Sequence, residues 1–246
     1  TTYTVVATDT NGCVNTDSVV VTINSLPTAS VSSDTTICVG DTATLVASGG
    51  TTYQWSPDST LSNAFIAAPS AFPTLSATYQ VIVSNANNCS DTTQVTVTVN
   101  PSPTIDAGLD QTICTGDTVQ LGASGGLFYL WTPADSLSAT TTADPFAWPT
   151  DSTQYIVTGT DANGCSSSDT VNVFVNPLPA VDAGPASSIC LGDTAQLDAS
   201  GANSYNWSPS GSLSNAAISN PLAFPTVSTT YTVVATDTNG CVNTDS

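Results

Sequence analysis

The chain has 246 residues, and its only charged side chains are 19 acidic ones, all Asp; Lys, Arg, His, Glu and Met are absent, and the net charge is −19. With no cation to neutralise phosphate, nucleic acid is excluded as a partner and an anionic membrane would repel the chain. The His and Glu of most general-base and zinc sites and the Lys of Schiff-base chemistry are also missing, which points to a non-enzymatic chain with no cofactor beyond loose, non-specific calcium screening of its carboxylates.

In chain order, residues 1–24 hold two strands around the turn Asp9-Thr10-Asn11-Gly12-Cys13. A long first strand then runs from Pro27 to Cys38, with room for a break midway. The Gly40-Asp41 turn leads to a strand over Thr42–Ser48, and Gly49-Gly50 to another over Tyr53–Ser56 that carries Trp55. A middle section rich in Pro and Ser follows, with a short strand near Phe65–Ala68. Thr78–Ser84 and Asp91–Val99 close the unit as a hairpin. Runs such as Tyr79-Gln80-Val81-Ile82-Val83 alternate with period two and are β-branched, which is the pattern of a half-buried strand. No run has helical periodicity, and 40% hydrophobic residues supply the surface for folded cores.

The same order recurs every 76 residues. Cys13, Cys89, Cys165 and Cys241 keep that spacing, as do Cys38, Cys114 and Cys190. Trp55, Trp131 and Trp207 stand at equivalent places, each two residues after a Tyr (Tyr53, Tyr129, Tyr205). Thr1–Ser18 is identical to Thr229–Ser246, an offset of three repeats. The expected organisation is all-β: a tandem array of immunoglobulin-like sandwiches of about 76 residues. Residues 1–24 would be the last two strands of a preceding module. Residues 25–100 and 101–176 would be whole modules, and 177–246 a module lacking its last strand. The phase of these ends suggests an excerpt from a longer array; the rival reading is a subunit whose first strand completes a neighbour, as in donor-strand fibres.

The motif set I-C-x-G-D-T, A-S-G-G, Y-x-W-x-P, P-T-x-S-x-T-Y and D-x-N-G-C resembles the immunoglobulin/PKD-like repeats of large Bacteroidota cell-surface adhesins. That resemblance covers every module and implies an extracellular, cell-surface adhesin of the type exported by type IX secretion, including gliding-motility adhesins. The triplet Asp-[Ser/Thr]-[Ala/Ile/Leu/Val/Met/Thr] likewise resembles the O-glycosylation signal of Bacteroidota exported proteins. It occurs at Ser18, Thr35, Thr42, Ser59, Thr92, Thr118, Ser136, Ser152, Thr170 and Thr194; Asp-Thr is also ordinary turn-to-strand chemistry.

Other candidate sites reduce to structure. The Asp-x-Asn-Gly-Cys turns lack the oxygen ligands of a calcium loop, and Asn85-Ala86-Asn87-Asn88-Cys89 replaces the Asp, so hairpin turns are expected. Trp55, Trp131, Trp207, Tyr79, Tyr155 and Tyr231 are expected core anchors, the alternative being a sugar-stacking surface. No His or cation is available to lower a thiol pKa, so the cysteines are expected to be inert or oxidised.

Strand length decides between disulfide pairings. From Pro103 to Cys114 the chain advances 11 residues, ~36 Å at strand rise, to the C-terminal end of its module. Cys165 follows a hairpin at the N-terminal end, beyond the ~7 Å Cα separation a disulfide allows. Pairing between modules is therefore expected, Cys38 with Cys165 and Cys114 with Cys241, while Cys13 and Cys190 pair with modules outside. Pairing within a module, Cys38 with Cys89, and free thiols are the alternatives.

The leading functional reading is a structural stalk or filament segment of a giant adhesin, serving adhesion or gliding. Its partners would be neighbouring modules of the same chain, with surface polysaccharide or other filament chains further candidates. The alternatives are polysaccharide-binding modules or a passive spacer in a secreted enzyme.

Overall fold

The computed structural model describes residues 1–246 and contains strands and turns without a helix. The first part holds β1 (Thr2–Thr8), β2 (Val14–Val20), β3 (Ser30–Val31), β4 (Thr35–Cys38), β5 (Ala43–Thr44), β6 (Ala47–Ser48) and β7 (Thr52–Ser56). β8 (Ser70–Ala71), β9 (Ala77–Ser84), β10 (Ser90–Asn100), β11 (Gln111–Cys114), β12 (Val119–Gln120), β13 (Phe128–Thr132) and β14 (Phe146–Ala147) follow. The chain continues with β15 (Thr153–Thr160), β16 (Ser166–Asn176), β17 (Ala195–Gln196), β18 (Ser204–Ser208), β19 (Leu222–Ala223), β20 (Thr232–Thr236) and β21 (Val242–Asp245). Two compact units result: residues 1–102 with 163–165, and residues 103–162 with 166–246.

In the first unit, β1 and β2 form a two-stranded hairpin of their own, with all their side chains exposed. The rest is a sandwich. One sheet has the order β4-β10-β9-β7, in which β4 runs parallel to the end of β10 and the other neighbours are antiparallel. The facing layer is built from the short pairs β3–β6 and β5–β8. Alternation sets which side chains enter the core. On β9, Tyr79, Val81 and Val83 are fully buried, and they meet Val95 and Val97 of β10, Trp55 of β7, and Ala43, Leu45 and Ala47 opposite. The expected first strand is broken into β3 and β4, and the strand over Thr42–Ser48 into β5 and β6.

The short strand expected near Phe65–Ala68 is instead at Ser70–Ala71. The reason is where the backbone acceptors go. The carbonyls of Ala64, Ala67 and Pro69 accept from the amides of Trp55, Ala47 and Leu45, and that of Ile66 from the Trp55 indole. Leu45 and Ala47 keep the register of the β5–β8 pair, but Ala64 and Ile66 are bonded by Trp55 of β7 instead, so no ladder runs through Phe65–Ala68.

The second unit repeats the plan twice. Its first sandwich has the sheet β11-β16-β15-β13 with β12–β14 opposite, and Ile105, Leu121, Trp131, Tyr155, Val157, Val171 and Val173 in the core. Its second has β18-β20-β21 with β17–β19 opposite, around Trp207, Tyr231, Val233 and Ala223. Here the counterpart of β11, residues 187–190, forms no strand. β11 pairs with Val173–Asn176 at the end of β16, and β21 covers Val242–Asp245.

One glycine at each sheet crossing is obligatory. A Cβ on Gly49, Gly125 or Gly201 would lie 1.9 Å from the backbone oxygen of Thr28, Thr104 or Ala180, and each glycine has positive φ.

Candidate functional site

The distinctive chemistry of this chain lies in its cysteines and the turns that carry them. Cys38 ends β4 opposite Asn100, and Val39 donates its amide to the Asn100 carbonyl at 2.9 Å. The following Gly40-Asp41 turn folds back: Asp41 donates its amide to the Cys38 carbonyl, and its Oδ2 accepts the Cys38 amide at 3.3 Å. Cys114 repeats this with Asn176 and Asp117. Both cysteines are thus fixed at the end of a strand by a carboxylate three residues on.

Cys241 belongs to the other kind of turn. Asp237 Oδ1 accepts the amides of Asn239 and Cys241, both at 2.8 Å, and the Asp237 amide donates to the Cys241 carbonyl. Asp9 makes the same set with Asn11 and Cys13. Asn85 also makes it, with Asn87 and Cys89. An amide oxygen replacing a carboxylate without change of geometry shows that the turn needs an acceptor, not a charge. Asn88, at φ 60°, stands where Gly12, Gly164 and Gly240 adopt φ of 80–84°. The carboxylates of these turns are occupied by backbone amides, and no cluster of three metal-ligating side chains forms anywhere in the chain.

Two disulfides join the two kinds of turn. Cys38 bonds to Cys165 and Cys114 to Cys241, each across 127 residues, with Cα separations of 5.5 and 5.6 Å. Cys165 and Cys241 are fully buried. Cys13, Cys89 and Cys190 are unpaired. Cys89, which only the rival pairing within a module supplied with a partner, is half-buried with its Sγ 4.0 Å from the Asn24 carbonyl oxygen. The signal was available, since Cys89 is the repeat equivalent of Cys165 and Cys241 and no cysteine lies 127 residues before it in this sequence.

The aromatic residues are structural. Trp55, Trp131 and Trp207 are at most 2% exposed, and each indole donates to a carbonyl eleven residues on, of Ile66, Thr142 and Ile218. Tyr79, Tyr155 and Tyr231 are buried beside them. Burial, reinforced by the Asp135 carboxylate, pushes the Tyr155 hydroxyl above its ordinary pKa. Tyr53, Tyr129 and Tyr205 are half-buried, with their hydroxyls donating to the carbonyls of Gly50, Gly126 and Ala202.

Carboxylates also tie the first segment of each sandwich to its last strand. Asp91, Asp169 and Asp245 accept the amides of Ala29, Ala107 and Ala183. The bond from Ala107, with a second from Thr170, holds the Asp169 carboxyl below the usual carboxylate range; Ala183 and then Ser246 do the same for Asp245. Of the hydroxyls in the Asp-Ser/Thr triplets, Ser18, Thr42, Ser59, Thr92, Thr118, Ser152, Thr170 and Thr194 are on exposed residues, and Thr35 and Ser136 on half-buried ones.

Residues 25–101 match the family model described as "Ig-like domain CHU_C associated". No curated protein matches the chain. Among solved structures, one similar chain is a Ca2+-stabilized adhesin that helps an Antarctic bacterium reach out and bind ice. It is 13% identical with a TM-score of 0.39, over 99% of this chain and 79% of that one. Another is the N-terminal eight Ig domains of Down Syndrome Cell Adhesion Molecule, 14% identical with a TM-score of 0.38 over 99% of this chain. The present chain spans 45% of its length. The human Desmocollin-1 ectodomain is also 14% identical, with a TM-score of 0.26 over 99% of this chain and 64% of that one.

Proposed function

Taking the chain as an array of Ig-like modules, we propose that it is a non-enzymatic structural segment of an extended cell-surface adhesin or filament. Its modules would be residues 25–100, 101–176 and 177–246, with residues 1–24 contributing the closing hairpin of a preceding one. The observation that carries this reading is the pair of disulfides. Each joins a strand end in one repeat to the closing hairpin turn of the next. Cross-links placed between repeats do nothing for a ligand pocket but hold successive repeats against separation, which is the requirement of a stalk. Disulfides of this kind belong to an oxidising, extracellular compartment.

The resemblance to Bacteroidota adhesins extends the reading to export by type IX secretion and a role in adhesion or gliding. Exposed Asp-Ser/Thr triplets support glycans along the surface, which would solvate the segment and hinder proteases. The polysaccharide-binding alternative loses its platform, because the repeated tryptophans are in the cores.

The test is the solution dimension of the oxidised chain. With strands of up to 11 residues, a module is ~30–40 Å long and three in line reach on the order of 100 Å. Small-angle scattering should give a maximum dimension of that order and a radius of gyration well above the ~18 Å of a compact chain this size. A value near ~18 Å would reject the stalk.

A further inference from the structure

The two disulfides are interlaced: in chain order the bonded residues run Cys38, Cys114, Cys165, Cys241, and the first bonds to the third and the second to the fourth. Every peptide bond from Cys38 to Cys114 lies inside the first loop, every one from Cys165 to Cys241 inside the second, and those between Cys114 and Cys165 inside both. We propose that this makes residues 38–241 a fail-safe covalent segment, which survives any single backbone cleavage as one molecule and carries tension along two parallel strands. Its use in a stalk rests on the reading above; the connectivity itself does not.

The two strands are equal. From Cys38 a pulling force can follow the backbone to Cys114 and cross to Cys241, or cross to Cys165 and follow the backbone to Cys241. Each route contains one disulfide and 76 residues. Load therefore divides evenly once the sandwiches have opened. At ~3.6 Å per extended residue, Cys38 and Cys241 separate by no more than ~270 Å, against ~730 Å for the reduced chain. A bond within each repeat, such as Cys38 to Cys89, would leave the connecting residues 90–113 on a single strand.

Resistance to cleavage has a purpose here. The absence of Lys and Arg removes the sites of proteases that cut after cations, but large apolar residues remain exposed within the segment. Phe65, Leu109, Phe128 and Leu191 are 65–84% exposed. A protease that cuts after such residues will nick the folded chain, and the interlaced bonds keep the nicked chain whole.

The lysine-free sequence supplies a clean test, since one introduced lysine creates one cleavage site. Leu109→Lys and Ala186→Lys place it in the first segments of the second and third repeats, and Ile23→Lys places it outside the segment; all three positions are exposed. After digestion of the oxidised chains with a lysine-specific protease, the first two should migrate as a single full-mass species in denaturing, non-reducing conditions. They should split in two on reduction. Ile23→Lys should release its N-terminal fragment without reductant. A chain carrying both Leu109→Lys and Ala186→Lys should also stay whole after two cuts. Release of fragments from Leu109→Lys or Ala186→Lys without reductant overturns the proposal and leaves the stalk reading to its scattering test. Pulling the unmutated chain by its ends gives an independent check that needs no variant. The total extension should rise by ~460 Å on reduction, and an unchanged extension would overturn the proposal.

Discussion

Thr1–Ser18 and Thr229–Ser246 have the same sequence, and both form an antiparallel hairpin with the same register. Val5 faces Asp17 and Ala7 faces Asn15, just as Val233 faces Asp245 and Ala235 faces Asn243. Their surroundings differ completely. In the first copy Tyr3 and Val5 are 58% and 64% exposed, and Cys13 is an exposed free thiol. In the second, Tyr231 and Val233 are buried, and Cys241 is buried in a disulfide. What the second copy has is β18 along one edge, bringing Trp207 opposite Val233, and a facing layer to close on. Hairpin geometry is local to the eighteen residues; burial is conferred by the sandwich and oxidation by Cys114 of the preceding repeat.

The largest effect should come from removing the wall that makes the second copy a core. Trp207→Ala deletes a 2%-exposed side chain and should cost about 3–5 kcal/mol in the unfolding of the third core, followed by denaturant titration. A loss within ~0.5 kcal/mol would show that β20 needs no partner to be buried. Next is the thiol pair. Cys241→Ser should cost about 2–5 kcal/mol through the lost loop closure, while Cys13→Ser should be neutral within ~0.5 kcal/mol. Equal effects would remove the distinction between the copies.

A subtler comparison uses the same valine twice. Val233→Ala should cost about 2 kcal/mol and Val5→Ala less than ~0.5 kcal/mol, because only the former is buried. The smallest effect is protonic. Asp245 accepts the Ala183 amide, which lowers its carboxyl pKa in the folded chain. Its contribution is therefore fully present above the unfolded value near pH ~4 and is lost as pH falls through the lower folded value. The carboxyl resonance of Asp245 should titrate below the ordinary range, and a titration at or above pH ~4 would contradict the assigned hydrogen bond.

Much of this was legible in the chain itself. Period-two runs located β9 and β10, and Asx turns with Gly or Asn located the hairpins, because both are decided by neighbours in sequence. The long extended run to Cys114 is what separates that residue from Cys165, and in the structure Cys114 bonds to Cys241 instead. Less local features were not legible. The strand expected at Phe65–Ala68 is absent, and its Ile66 and Ala67 carbonyls serve donors on two other stretches, the Trp55 indole and the Ala47 amide. The exposure of Tyr3 and Val5 could not be read from residues that are identical in a buried copy. Nor does the hairpin turn by itself decide oxidation, since Cys13 and Cys89 sit in the same turn as Cys165 and Cys241 and are free.

Which cysteines are joined decides whether the repeats are stapled, and a non-reducing peptide map reads that directly. Digestion of the oxidised chain beside aromatic residues or before Asp needs neither Lys nor Arg. The map should contain cross-linked peptides joining Cys38 to Cys165 and Cys114 to Cys241. A peptide joining Cys38 to Cys89, or Cys114 to Cys165, would place the bonds within repeats and contradict both the stapled stalk and its two-strand continuity.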